Sequence, residues 1–174
     1  MRGKHLSSRD LLLQTTAIVA RAEGAQVIVN DRGDVARLAG AAGVHVGQDD
    51  LPPAAVRTLV GPDAIVGVST HTRPQRDAAL DAPVNYVAIG PVFSTATKDT
   101  GYSSVGLARV TDASVAARQR GLPTVAIGGI TLENAVSVID AGAAAVAVIS
   151  DLLATGDPCA RTRAYLQRLS RLAV

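Results

Sequence analysis

Six short apolar runs rich in β-branched residues recur about every 20 residues, each followed by a polar or glycine-rich turn, and they constrain the fold more than any other feature. They read QVIVN (26–30), GVHV (43–46), AIVGVS (64–69), YVAIG (86–90), PTVAIGG (123–129) and AAVAVIS (144–150). Helix-like segments of Ala, Leu and Arg follow them at 33–40, 53–60, 73–81, 105–120, 132–141 and 157–172. Strand alternating with helix predicts βα units and a parallel sheet. The short spacing favours a (β/α)8 barrel over a doubly wound sheet.

Ser7 and Asp10 in SSRD make a capping-box-like start for a further helix to about residue 22, with Leu11, Leu12, Ala17 and Ile18 on its apolar face. No strand precedes that helix. Counting units, the expectation is a (β/α)8 barrel of about six parallel strands, without the first strand, the first helix and most of the second strand. A sheet of that kind has an open edge, so a second chain or a longer version of the protein is expected to cover it.

At 174 residues the chain suits one domain, 1–174, burying roughly 70 % of its unfolded surface. Nearly half of it is hydrophobic, yet Phe93, Tyr86, Tyr102 and Tyr165 are its only Phe, Tyr or Trp residues, so the core must be made of Ala, Val, Leu and Ile. Seventeen basic and 15 acidic residues nearly cancel, without a basic block or stacking aromatics, which argues against a nucleic-acid surface. The single cysteine, Cys159, excludes an internal disulfide and receives no role. The sequence has no apolar stretch of ~18 uncharged residues and no signal peptide before the first helix, so the cytoplasm is the expected location.

In a parallel barrel the chemistry sits where strands end. Those positions carry Asn30 and Asp31; Gly47, Gln48, Asp49 and Asp50; Ser69 and His71; Ser94 to Lys98; Gly128 and Gly129; and Ser150, with Arg2 and Lys4 ahead of the first helix. Carboxylates, hydroxyls and cations at one mouth suit a multiply phosphorylated substrate held with a hard cation such as Mg2+, which takes oxygen ligands. Simpler readings exist. Asp31 and Asp50 could each cap a following helix. Gly128 and Gly129 could be a plain turn, although as the opening of a helix they would let backbone N–H groups reach a phosphate. His45 lies inside a strand and reads as a packed or supporting residue, whereas His71 stands as a site candidate.

Taken in order, RGK (2–4), VNDRGDVA (29–36), GVHVGQDDLP (43–52), GVSTH (67–71), IGPVFSTATK (89–98), AIGGIT (126–131) and AVAVIS (145–150) closely resemble the thiamine phosphate synthase family. The resemblance implies a Mg2+-dependent enzyme that joins 4-amino-5-hydroxymethyl-2-methylpyrimidine diphosphate to a thiazole phosphate, giving thiamine phosphate and pyrophosphate. By the same resemblance Arg2, Lys4, Asn30 and Lys98 would hold the pyrophosphate, and Asp31 and Asp50 would bind Mg2+ directly or through water. Thr95 and Thr97 would contact the thiazole phosphate, whose phosphate Gly129, Ile149 and Ser150 would cradle. Ser69 would lie near the reacting methylene, and it and Lys98 are the implied catalytic residues. The family's glutamine two residues before the arginine matched by Arg2 has no counterpart here. The rivals are a thiazole tautomerase, a non-catalytic paralogue that keeps thiazole phosphate binding, and a phosphate-binding isomerase of the same fold.

Overall fold

The computed structural model describes residues 1, 3, 5–94 and 101–170, and Arg2, Lys4, Thr95, Thr97 and Lys98 lie outside them. In chain order the elements are α1 (Ser8–Val19), β1 (Ile28–Asn30), α2 (Gly33–Leu38), β2 (Gly43–Val46), α3 (Pro53–Val60), β3 (Ile65–Thr70), α4 (Arg73–Leu80) and β4 (Tyr86–Ile89). They continue with α5 (Gly106–Gln119), β5 (Thr124–Ile127), α6 (Ala135–Asp140), β6 (Ala145–Ala147), α7 (Ser150–Leu153) and α8 (Pro158–Ser170). The fold class is α/β with six parallel strands.

Two compact units make up the chain, one from 1–69 with 77–86 and the other from 70–76 with 87–174. In the first unit β2 lies between β1 and β3, both pairs parallel, with Asn30 opposite His45 and His45 opposite Gly67. Its core is mostly valine, with alanines and Leu11: Val29, Val35, Val44, Val46, Val56, Val66 and Val68 are each at most 4 % exposed. Small β-branched side chains fit a sheet packed under Ala-rich helices. Arg57 of α3 closes the turn into β3 by donating to the carbonyls of Gly61, Pro62 and Ala64 and to Asn85 Oδ1.

In the second unit β5 pairs in parallel with β4 and β6. Ile89, Val92, Val110, Ala126, Ile130 and Val138 pack there with Tyr165, the one buried aromatic ring among the described residues. Asp151 ties α7 to its neighbours: its carboxylate accepts from Arg161 Nε (2.9 Å), Tyr165 Oη (2.6 Å) and the Leu132 backbone N–H (3.2 Å).

Differences from the expected boundaries have local causes. Helix α1 starts as expected, with the Ser7 side chain accepting from the Asp10 N–H and donating to the Asp10 carboxylate. It stops at Val19, and Glu23 and Gly24 then take positive φ, which a right-handed helix cannot contain. Helix α6 begins at Ala135 rather than near residue 132, so Gly128 and Gly129 do not open a helix. The intervening residues form a turn in which Asn134 accepts from the Thr131 N–H and donates to the Gly129 carbonyl. The four-residue α7 is too short for its periodicity to show in sequence.

Candidate functional site

In the first unit, Asn30, His45 and Gly67 sit side by side on three parallel strands, and Ser69 follows Gly67 by two residues. Side chains two residues apart share a face of a strand, so these four positions form one face while the buried valines form the other. Asp31 follows β1 with φ 65°, a conformation uncommon for residues other than glycine, while its N–H still donates to the His45 carbonyl at 2.8 Å. Beyond β2, the Asp50 carboxylate accepts the Gly47 N–H at 2.7 Å and folds the loop back on the strand end.

Neither aspartate caps its helix. The residue at the cap position of α2 is Arg32 and that of α3 is Pro52, neither with a capping side-chain hydrogen bond. That removes the simple alternative for Asp31 and Asp50 and leaves two half-buried carboxylates at one end of adjacent strands. Among the described residues there is no cluster of three or more His, Cys, Asp or Glu side chains able to hold a metal.

His45 is a supporting residue, as its strand-interior position suggested. Its ring lies between the Tyr86 hydroxyl, 2.8 Å from Nδ1, and the Ser69 hydroxyl, 2.8 Å from Nε2. It stacks on the Tyr86 ring at 5.5 Å. Gln48 donates to the Ser69 carbonyl and so holds the same strand end.

In the second unit the turn after β4 runs against the turn after β5. Val92 N–H donates to Ile127 O and Phe93 N–H to Gly128 O. This close approach demands both glycines. Gly128 (φ 99°) would place a Cβ 2.5 Å from Pro91 Cβ, and Gly129 (φ 63°) would place one 2.6 Å from Ser94 O. Gly129 thus presents bare backbone beside the segment that leads into 95–98. Ile149 holds the cap position of α7 and Ser150 is its first residue, both exposed or nearly so. His71 donates its backbone N–H to Gln75, bonds the Gly90 carbonyl through Nδ1 and stacks on Tyr102 at 4.1 Å, which accounts for its ring structurally. Cys159 is exposed on α8.

The family model for thiamine monophosphate synthase matches residues 1–152. The chain belongs to the thiamine monophosphate synthase family. A thiamine-phosphate synthase of Roseiflexus sp. (strain RS-1) is 45% identical over 166 residues, covering 94% of this chain and 69% of the relative. One from Koribacter versatilis (strain Ellin345) is 46% identical over 169 residues, covering 97% and 78%. The solved thiamine phosphate pyrophosphorylase from Pyrococcus furiosus superposes with a TM-score of 0.88 at 27% identity, covering 98% of this chain and 81% of that one. The activity is that of a thiamine-phosphate synthase, a transferase of thiamine biosynthesis.

Within the synthase fold, sequence reasoning passed over Tyr86 and Gly67. A Cβ on Gly67 would run into the Tyr86 ring, so glycine is what lets the ring lie across β3. A glycine inside the β-branched run AIVGVS carried that signal, because glycine within a strand marks the close approach of another group. Asp151, Arg161 and Tyr165 were passed over too. Their network depends on a pairing between α7 and α8 that no short motif announces.

Proposed function

We propose that the chain transfers the aminopyrimidine methylene of a pyrimidine diphosphate to the ring nitrogen of a thiazole phosphate, releasing pyrophosphate and forming thiamine phosphate. The observation that carries the reading is the pair of carboxylates beyond the ends of β1 and β2, Asp31 and Asp50, neither of which caps a helix, beside Asn30 of β1 and Ser69 of β3.

Mg2+ fits this donor set. Two carboxylates are hard oxygen donors, and with so few protein ligands the remaining positions fall to water and substrate phosphate, the usual mode for this ion. When bound, Mg2+ would offset the charge of the diphosphate and of the departing pyrophosphate. Asp31 and Asp50 would hold it, and Asn30 would hydrogen-bond the pyrophosphate together with Arg2, Lys4 and Lys98. Ser69 would sit beside the reacting methylene. Thr95 and Thr97 would bind the thiazole phosphate, and its phosphate would rest on the backbone at Gly129, Ile149 and Ser150. Gly129 has a structural reason to be glycine, since a Cβ there would run into Ser94 O and Phe93 of the neighbouring turn. Positioning and preorganised charge then drive carbon–oxygen cleavage without a protein base.

We also read 1–174 as one synthase domain of the (β/α)8 barrel class. Self-association that covers the open sheet edge and a cytoplasmic location belong to the same reading. No helix among the described residues is long and apolar enough to cross a membrane. The test is growth of a bacterial strain lacking its own thiamine-phosphate synthase. Expression of this chain should permit growth without thiamine, and Asp31→Asn with Asp50→Asn should abolish it. Soluble, folded chain that never supports growth would sink the proposal.

A further inference from the structure

The geometry points to Tyr86 and His45 as positioning residues that set the direction of the Ser69 hydroxyl, turning its proton away from His45 so that it donates to an oxygen of the diphosphate substrate. This rests on the reading of Ser69 as a group that meets that substrate.

The Tyr86 hydroxyl sets the direction of the hydrogen-bond chain. Burial pushes its pKa up to about 12, so it keeps its proton across the physiological range. Among the described residues His45 Nδ1 is its hydrogen-bond partner, at 2.8 Å. A half-buried phenol that retains its proton is best satisfied by donating it, which makes Nδ1 the acceptor. In a neutral imidazole with Nδ1 accepting, the proton resides on Nε2. Nε2–H then donates to Ser69 Oγ across 2.8 Å. A hydroxyl that accepts at its oxygen keeps one proton to give, and that proton cannot point back at the N–H donor.

Each part of the relay has a local reason to be where it is. Gly67, paired with His45 in the sheet, lacks the Cβ that would collide with the Tyr86 ring. The ring therefore reaches far enough to stack on His45. Gln48 donates to the Ser69 carbonyl at 2.7 Å and fixes the backbone on which the hydroxyl rides. A donor aimed at an oxygen that gains negative charge as the carbon–oxygen bond breaks interacts more strongly in the transition state than in the ground state, so its loss appears in kcat.

The experiment has two arms. In the first, nitrogen NMR of the ligand-free chain reads the His45 tautomer. A non-protonated Nδ1 and a protonated Nε2 are expected, and Tyr86→Phe should mix the two tautomers. In the second, steady-state kinetics compares Tyr86→Phe, Ser69→Ala and the double variant. Tyr86→Phe should lower kcat about fivefold, the worth of one hydrogen bond, with the KM values for both substrates unchanged, and it should cost nothing further in the Ser69→Ala background. A proton on Nδ1, a tautomer indifferent to Tyr86→Phe, or an undiminished loss in the Ser69→Ala background would overturn the assignment. The nitrogen measurement needs no substrate, so a chain that forms no thiamine phosphate refutes the functional reading while the tautomer still decides the relay.

Discussion

Replacing Gly129 with alanine separates a structural glycine from a phosphate-binding one. Its φ of 63° costs an alanine about 1 to 2 kcal/mol. The added Cβ would also meet Ser94 O at 2.6 Å and Phe93 Cβ at 2.8 Å, contacts that force one turn off the other and add about 1 to 3 kcal/mol, as overpacking does. A chain of this size loses roughly 2 to 4 °C of melting temperature per kcal/mol, so Gly129→Ala should melt about 4 to 20 °C below the parent. Gly121→Ala is the control. Gly121 has φ 69°, but an added Cβ there would find no atom within 4 Å, so the substitution carries the backbone cost alone. The assay is thermal denaturation of both variants with calorimetric titration of the thiazole phosphate. Gly129→Ala should bind it at least about tenfold more weakly, a change of about 1.4 kcal/mol, and Gly121→Ala should bind it as the parent does. Equal melting temperatures and equal affinities for the two variants would refute the close-approach reasoning.

Lys98→Ala should lower kcat strongly, by about 100-fold or more if the ammonium neutralises the departing pyrophosphate, with thiazole phosphate affinity near normal. Steady-state kinetics at saturating Mg2+ reads it, and an unchanged kcat returns Lys98 to an ordinary loop role. Asp50→Asn keeps an oxygen to accept the Gly47 N–H but loses its charge, so half-saturating Mg2+ should rise about tenfold or more while the melting temperature stays within a degree or two of the parent. The hydrogen bond from Arg161, supported by that from Tyr165, holds the Asp151 carboxyl below its ordinary value of 3.8. A depressed carboxyl stabilises the fold above its unfolded pKa and loses that contribution as pH falls through the folded one. Denaturant titrations of the parent should therefore weaken as pH falls below about 4, and Asp151→Asn should be less stable at neutral pH by about 1 to 3 kcal/mol and show a smaller acid loss.

Patterns confined to neighbouring residues were the readable part. Five of the six apolar runs contain their strand and the third falls one residue short of Thr70, and Pro53–Val60 matches its expected helix to the residue, because Pro at the start and Gly61 after the end mark it chemically. The Ser7–Asp10 cap was legible for the same reason. Asp31 and Asp50 could be singled out by position, yet whether they capped helices depended on backbone geometry a few residues on. The opening of α6 falls later than its sequence suggests because Asn134 folds Thr131 into a turn through its side chain. The Tyr86–His45–Ser69 chain joins residues 41 and 24 apart in sequence. Its parts carry ordinary strand signals singly and acquire meaning only through the register that sets His45 beside Gly67.

Transfer between two phosphorylated reactants can be followed directly in a phosphorus NMR time course. Purified chain with the pyrimidine diphosphate, the thiazole phosphate and Mg2+ should convert both into thiamine phosphate and pyrophosphate in equal amounts, and omitting the thiazole phosphate should halt thiamine phosphate formation. Loss of the diphosphate signal with no matching thiamine phosphate, or persistence of both reactants at saturating Mg2+, would contradict it.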